Sequence, residues 1–264
     1  MAFCNDQIEM RYFFEIVYQG KKYNGWQSQP NANGIQTVVE KALSKLLQVE
    51  TKAVCSGRTD TGVHCEQQYF HADIEKEFDF DQMMLKLNIY LPKDIAIKSI
   101  RRVKDDASAR YDAIERSYRY QITKLKNPFL EELAWHYFKE VDIQTMNKAA
   151  ALLVGEHDFE CFSKVKTDVN HFLCTIKKAE WREEGQMMYF TITANRFLRG
   201  MVRSIVGTLL DVGTGKTSMK EFQAIIHSKD RKQAGANVPP QGLYLTKVKY
   251  PQGIFLKRLE TENL

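Results

Sequence analysis

Cysteine is scarce in this chain, with five among 264 residues, and Cys4, Cys55, Cys65, Cys161 and Cys174 are odd in number and unpaired at short spacing. No CxxC pair occurs, so neither a disulfide framework nor a tetrahedral zinc site can be built from sequence neighbours. His171 with Cys174, and Cys65 with His71, come nearest to ligand pairs, and nothing completes either set. We therefore expect no metal, and free thiols suited to a reducing cytoplasm. Long apolar runs are missing too: no stretch approaches the ~18 residues needed to span a bilayer, so no membrane partner is expected. The start, Met1 to Glu9, has neither a basic region nor an apolar run. That argues against a signal peptide and predicts a short disordered extension over residues 1–9. A complete phosphate-binding loop is also absent. Gly213-Thr214-Gly215-Lys216-Thr217 imitates the end of one, but Leu210 stands where the motif needs its first glycine, and a helix precedes it where a strand is required.

The 44% hydrophobic fraction, with twelve Tyr and fifteen Phe, is ample for a packed core. The length allows one large domain or two ordinary ones. The net charge of +5 is unevenly spread. Residues 98–126 hold nine Lys/Arg against four Asp/Glu, and residues 196–232 hold eight against three. Two cationic regions on an otherwise acidic chain suit a surface that tracks phosphates, although Lys-rich surfaces are common in proteins that bind no nucleic acid.

Hydrophobic periodicity alternates between strand and helix. Residues 11–18 place Tyr12, Phe14, Ile16 and Tyr18 on one face of a strand, and Ile35 to Leu47 follow the i, i+3, i+4 spacing of an amphipathic helix after Asn33-Gly34. Strands are expected over 52–56, 67–74, 95–103, 116–125, 172–182, 186–194 and 242–250, with a hairpin turn at Glu184-Gly185. Helices are expected over 79–91, 142–154 (ending at Gly155) and 197–211, with another opening at Ser218, where Ser218 and Glu221 form a capping box. The mixture argues an α+β fold with largely antiparallel sheet. With no low-complexity linker, the domain boundary is soft and is expected near residues 104–115, dividing 10–106 from 107–264.

The segment Ser56-Gly57-Arg58-Thr59-Asp60-Thr61-Gly62-Val63-His64 concentrates the chemistry. Gly57 and Gly62 permit a sharply turned backbone lying close to a ligand. Asp60 on such a loop, two residues from a guanidinium, can act as an ionised nucleophile or electrostatic stabiliser. The plainer alternative is a turn whose aspartate bonds its own backbone.

Gly57 to His64 resembles the catalytic loop of the TruA family of tRNA pseudouridine synthases. Further matches follow in the same order: Tyr23 to Gln27 with Gln29 and Ile35-Gln36, Ala109-Arg110, Arg116 to Tyr120, Gly155 to Phe159, Asn195 to Leu198, Met201 to Gly207 and Pro240 to Leu245. The resemblance runs from about Met10 to Pro251. It implies two similar α/β halves sharing one continuous sheet, with a catalytic cleft between them, and isomerisation of uridine to pseudouridine in the tRNA anticodon stem-loop. No atoms are gained or lost in that reaction, so no cofactor is chemically required. The resemblance makes Asp60 the catalytic carboxylate, Tyr118 the ring that stacks on the uracil and assists proton removal from C5, and Arg203 the partner that orients Asp60. Arg58 becomes the wedge that enters the stack when the uridine is flipped out. Arg110, Arg196 and Arg199 join the substrate-binding set, with Arg196, Arg199 and Arg203 expected as one helical stripe and Arg199 facing phosphate, not Asp60. A homodimer with one tRNA spanning both subunits is likewise implied.

Two departures bear on target choice. The family commonly has Phe-His where this chain has Ala107-Ser108, and His-His where it has Arg199-Gly200. Other functional classes compatible with the same scaffold are a non-catalytic RNA-binding or tRNA-folding protein, disfavoured by the presence of Asp60, Tyr118 and Arg203, and a base-excising N-glycosidase, which would release free uracil.

Overall fold

A computed structural model describes residues 9–165 and 169–256. The extension expected over residues 1–9 lies, apart from Glu9, outside the described residues, as does Cys4. The elements run β1 (Met10–Tyr18), α1 (Ile35–Leu47), β2 (Val54–Cys55), β3 (His64–Ile74), α2 (Phe80–Tyr90), β4 (Ile95–Arg102), β5 (Glu115–Thr123), β6 (Trp135–His136), α3 (Ile143–Ala151), β7 (Gly155–Asp158), β8 (Leu173–Glu184), β9 (Met187–Ala194), α4 (Met201–Gly213), α5 (Met219–Ser228) and β10 (Leu243–Lys249). This is the mixed α+β class that the alternating periodicity predicts.

All ten strands belong to one sheet. Its main path is β4-β1-β3-β10-β5-β9-β8-β7, with β2 on β3 and β6 on β5. Every pairing is antiparallel except β10 with β3 and β6 with β5. The last strand among the described residues is thus inserted at the middle of the sheet. Through it, His64 lies opposite Tyr244 on one side, while Tyr118 lies opposite Leu245 on the other.

The helices begin where side chains satisfy their free N–H groups. Asp79 accepts from Gln82 N at 2.7 Å, Asp142 accepts from Gln144 N and Thr145 N, and Ser218 and Glu221 form the reciprocal box expected from sequence. Two cores divide the sheet along its length, one around β1, β3 and β4 and the other around β5, β9 and β8. In the first, Phe14 stacks on Phe70 at 4.9 Å between ring centroids, and Trp26 and the apolar face of α1 pack beside them. Phe13, which the alternation of β1 would turn to solvent, is fully buried under Tyr69, Tyr250 and Phe255. The segment after β10 covers that second face. In the other core, α4 is apolar on nearly every side and lies buried among α3, α5 and strands β5, β9 and β8.

Two sequence expectations need correction. The helix expected from Phe197 starts at Met201, because Gly200 has φ +74°, a left-handed conformation that interrupts helical hydrogen bonding. Arg196 and Arg199 therefore sit in the turn before α4, and only Arg203 is on the helix. The helix expected to run to Gly155 ends at Ala151, and Gly155 instead opens β7 with φ +111°.

Candidate active site

The Asp60 loop joins β2 to β3, the strand that carries β10 beside it. Its backbone is tied down along its length. Ser56 N donates to Tyr69 O at 2.8 Å, Trp26 N to Thr59 O at 3.3 Å, Gly62 N to Tyr23 O at 3.2 Å and Val63 N to Asp60 O at 3.1 Å. The buried Tyr18 and Thr59 hydroxyls meet at 2.8 Å. Two glycines allow this closeness. A Cβ on Gly25 would lie 2.3 Å from Thr59 O, and one on Gly62, whose φ is +79°, would lie 2.9 Å from Pro240 Cγ. The Tyr23-Asn24-Gly25-Trp26 motif is therefore the floor under the loop, and Pro240 is its lid on one side.

His64 ends the loop as a structural group. Its Nδ1 accepts from Gly20 N at 3.2 Å, its Nε2 lies 2.9 Å from Glu132 O, and its ring stacks on Tyr244 at 4.6 Å. Burial lowers its affinity for a second proton, so the ring stays neutral, with the Nε2 proton directed at Glu132 O.

Both carboxylate oxygens of Asp60 face a guanidinium. Arg203 Nη1 lies 3.7 Å from Oδ2 and Arg199 Nε lies 3.9 Å from Oδ1. These are close ion pairs beyond hydrogen-bonding range. The two arginines are not equivalent. Arg203 is 19% exposed and its Nε donates to Val238 O at 2.7 Å, whereas Arg199 is 61% exposed. The expectation that Arg199 avoids Asp60 is thus corrected, because the turn before α4 folds it back over the loop. Asp60 itself is 30% exposed, open to an incoming ligand.

Tyr118 is partly buried on β5 and packs against both cores, so it marks the seam between them. Its ring meets Phe197 edge-on at 5.1 Å. Burial raises the phenol above its ordinary value; nearby Cys65 and the negative charge of Asp60 add to the rise, and Arg116 opposes it. The hydroxyl is therefore un-ionised at neutral pH, and Asp60 is close enough for its charge to be felt there.

Arg116 belongs to this site, although its motif alone gave it no role. Its Nη1 donates to Ala113 O at 2.5 Å and Asn195 O at 2.9 Å, and its Nη2 to Ser56 O at 2.9 Å and Arg110 O at 2.8 Å. One planar fork thus joins the start of the Asp60 loop, the Arg110 turn and the end of β9, a geometry lysine cannot reproduce. Asn195 in turn fixes the next segment, its Oδ1 accepting from Arg196 N at 2.7 Å and Thr175 N at 2.9 Å. Arg196 reaches sideways to His171 Nε2 at 3.3 Å, and Arg58 and Arg110 project into solvent. The seven residues expected from sequence therefore divide into a close group of Asp60, Arg203, Arg199 and Tyr118, and a rim of Arg58, Arg110 and Arg196 held near it by shared backbone. Phe197 and Arg116 are additions; both lay inside noted motifs, but only the fold reveals their contacts.

Among the described residues no group of three or more His, Cys, Asp or Glu could hold a metal, and no helix is long and apolar enough to cross a membrane. The described cysteines, Cys55, Cys65, Cys161 and Cys174, are free and buried.

The arrangement can present one carboxylate, backed by two cations, to a ligand lying against an aromatic ring. Comparisons with known proteins place the chain in a family. The sequence profile described as tRNA pseudouridine synthase matches residues 16–112 and 149–251. A tRNA pseudouridine synthase A of Porphyromonas gingivalis is 46% identical over 251 residues, covering 93% of this chain and 99% of its own length. Proteins of the same name from Bacteroides fragilis and Bacillus subtilis are 46% and 39% identical, covering 93% and 91% of this chain. With so much of the chain matched by the profile and by relatives of nearly equal length, it belongs to the tRNA pseudouridine synthase family of isomerases.

Proposed function

We propose that this protein isomerises uridine to pseudouridine in the anticodon stem-loop of tRNA, with Asp60 as the nucleophile. The N-glycosidic bond breaks, the uracil turns while still bound, and its C5 joins C1′; the C5 proton leaves and N1 takes one up, so the atoms balance. Asp60 attacks the ribose or base, or stabilises the cation-like intermediate. A second carboxylic acid of the kind glycosidases use is unnecessary, because the base is retained. Arg203 orients Asp60, Tyr118 supplies the surface on which the uracil lies, and its un-ionised hydroxyl can take the C5 proton only by passing on its own. Arg58 enters the space vacated by the flipped nucleotide, while Arg110 and Arg196 follow the phosphates. The chain is expected to act in the cytoplasm as a homodimer without a cofactor.

The observation that carries this reading is the pair of guanidinium groups facing the two oxygens of a carboxylate on a glycine-held loop beside Tyr118. Asp60→Asn should abolish pseudouridine formation while leaving tRNA affinity within a few-fold, since phosphate contacts dominate binding. Mapping of pseudouridine on total tRNA from a deletion strain identifies the target uridines. Wild-type turnover in Asp60→Asn, or modified uridines only outside the anticodon arm, would remove the corresponding part of the proposal. Release of free uracil would favour a base-excising N-glycosidase instead.

A further inference from the structure

We propose that Arg110 and Tyr111 form a preorganised stacking platform for a nucleobase of the RNA substrate, beside the nucleotide engaged by Asp60. This inference rests on the reading of the site as an RNA-modifying centre and adds a base-binding subsite to it.

Tyr111 is 79% exposed, which on a mobile loop would mean little. Here the backbone beneath it is fixed from several sides. Ala109 N donates to the buried His71 Nδ1 at 3.1 Å, and Ala109 O accepts from Tyr250 OH at 2.6 Å. Ala107 O accepts from Arg11 Nη1 at 3.0 Å, and Arg110 O from Arg116 Nη2 at 2.8 Å. Within the turn, Ser108 N donates to Asp112 Oδ2 at 2.7 Å, Asp112 N to Ser108 O at 3.1 Å and Tyr111 N to Ser108 Oγ at 3.3 Å. An aromatic ring left in water on so rigid a support has little ordering entropy left to lose when a ligand stacks on it.

The Arg110 guanidinium lies over one face of the ring, 5.3 Å from its centroid, while the side chain remains largely exposed to solvent. A cation on one face and a base on the other is a favourable arrangement for π-systems, and stacking of this kind tolerates any base. The surroundings do not suit an apolar partner, because Lys104, Asp105, Asp106 and Arg110 are exposed nearby and Ile114 is the one large apolar neighbour in the turn open to solvent. Position supports the same conclusion. Arg116 Nη2 bonds both Arg110 O and Ser56 O, so this turn and the Asp60 loop meet at a single nitrogen.

The test measures Kd, KM and kcat of the full chain on an unmodified tRNA transcript across a salt series. Tyr111→Ala should raise Kd and KM about tenfold, within the range that loss of one stacked base produces, with the loss falling on KM rather than kcat. Tyr111→Phe should restore binding and Tyr111→Leu should not. The salt dependence should keep its slope in Tyr111→Ala and flatten by about one unit in Arg110→Ala. Unchanged Kd in Tyr111→Ala, equal rescue by Leu and Phe, or a fall in kcat at constant KM would each overturn the platform. Failure of the wild-type chain to form pseudouridine while this binding pattern holds would instead remove the catalytic reading and leave the platform standing.

Discussion

Two glycine-rich polar loops in this chain look alike in sequence and differ completely in the fold. Residues 56–63 carry Gly57 and Gly62 around Arg58 and Asp60, while residues 213–217 read Gly-Thr-Gly-Lys-Thr. In the first loop both ion-pair partners of the Asp60 carboxylate come from other parts of the chain, Arg203 on α4 and Arg199 before it. In the second, the side-chain contacts are local: Lys216 Nζ bonds Asp211 Oδ2 at 3.0 Å and Thr214 Oγ1 bonds Leu210 O at 3.0 Å, while in the backbone Thr217 N bonds Asp211 O at 3.0 Å and Asp142 N reaches Gly213 O at 2.9 Å. That is the pattern of a helix C-terminus, whose carbonyls repel phosphate, whereas a phosphate site needs the opposite end. Glycine content signals a turn. A site is made by what the rest of the chain brings to that turn.

The largest effect expected among variants of the loop's partners is from Arg203→Ala. It removes the better buried countercharge of Asp60 and the bond to Val238 O, so turnover should fall by about a hundredfold or more with tRNA affinity changed little. Arg199→Ala should cost less in turnover, because that guanidinium is mostly solvated, and should also weaken tRNA binding. Equal losses in both constants for the two variants would mean that the two arginines are interchangeable.

Paired glycine variants sharpen the comparison directly. Gly62→Ala meets both a left-handed backbone, worth roughly 1–2 kcal/mol, and Pro240, so it should displace the loop and lower turnover about tenfold. Gly215→Ala has the same kind of strain, with φ +75°, but no atom lies within 4 Å of its Cβ. It should lower Tm by roughly 2–4 °C and leave pseudouridine formation intact. Matching activity losses would show that flexibility, not packing, distinguishes the loops.

Acid should act through two buried histidines, His71 under the Ala109 turn and His64 at the end of the Asp60 loop. His71 is pushed down to about 4, first by burial and then by Arg11, from an ordinary value of 6.5. Its neutral Nδ1 accepts from Ala109 N, so the folded state binds fewer protons than the unfolded state between those values. The stabilisation is complete above pH 6.5 and is lost as pH falls through about 4; His64, lowered by burial, acts with the same sign. Melting temperatures from pH 7 to 4 should fall less steeply in His71→Asn than in wild type. The smallest effect belongs to the second loop: Lys216→Ala should change turnover less than twofold, and a fluorescent ATP analogue should show no saturable binding to wild type.

Much of this was legible in the chain. Period-two and period-3.6 patterns located most strands and helices within a few residues, because local burial imposes those periods wherever one face meets a core. The rejected phosphate loop was also readable, since a motif lacking its first glycine and its preceding strand lacks its geometry. The departures have two causes, a local break in helical spacing and burial by distant parts of the chain. The Arg196, Arg199 and Arg203 spacing fits a helix, yet Gly200 and the Asn195 side chain hold the first two in a turn. Phe13 fits a solvent-facing position, yet Tyr250 and Phe255 cover it.

Sequence by itself determined most of the elements and the turn chemistry, because propensity and periodicity act over a few neighbouring positions, while the resemblance to the family is what singled out Asp60. Only the tertiary structure decided that β10 enters between β3 and β5, that Arg116 ties the distant carbonyls of Ser56 and Asn195 to its own turn, and that Asp60 faces two guanidinium groups. Those contacts join residues far apart in the chain. Their energies depend on distance and burial in space, and no local pattern of side chains encodes either.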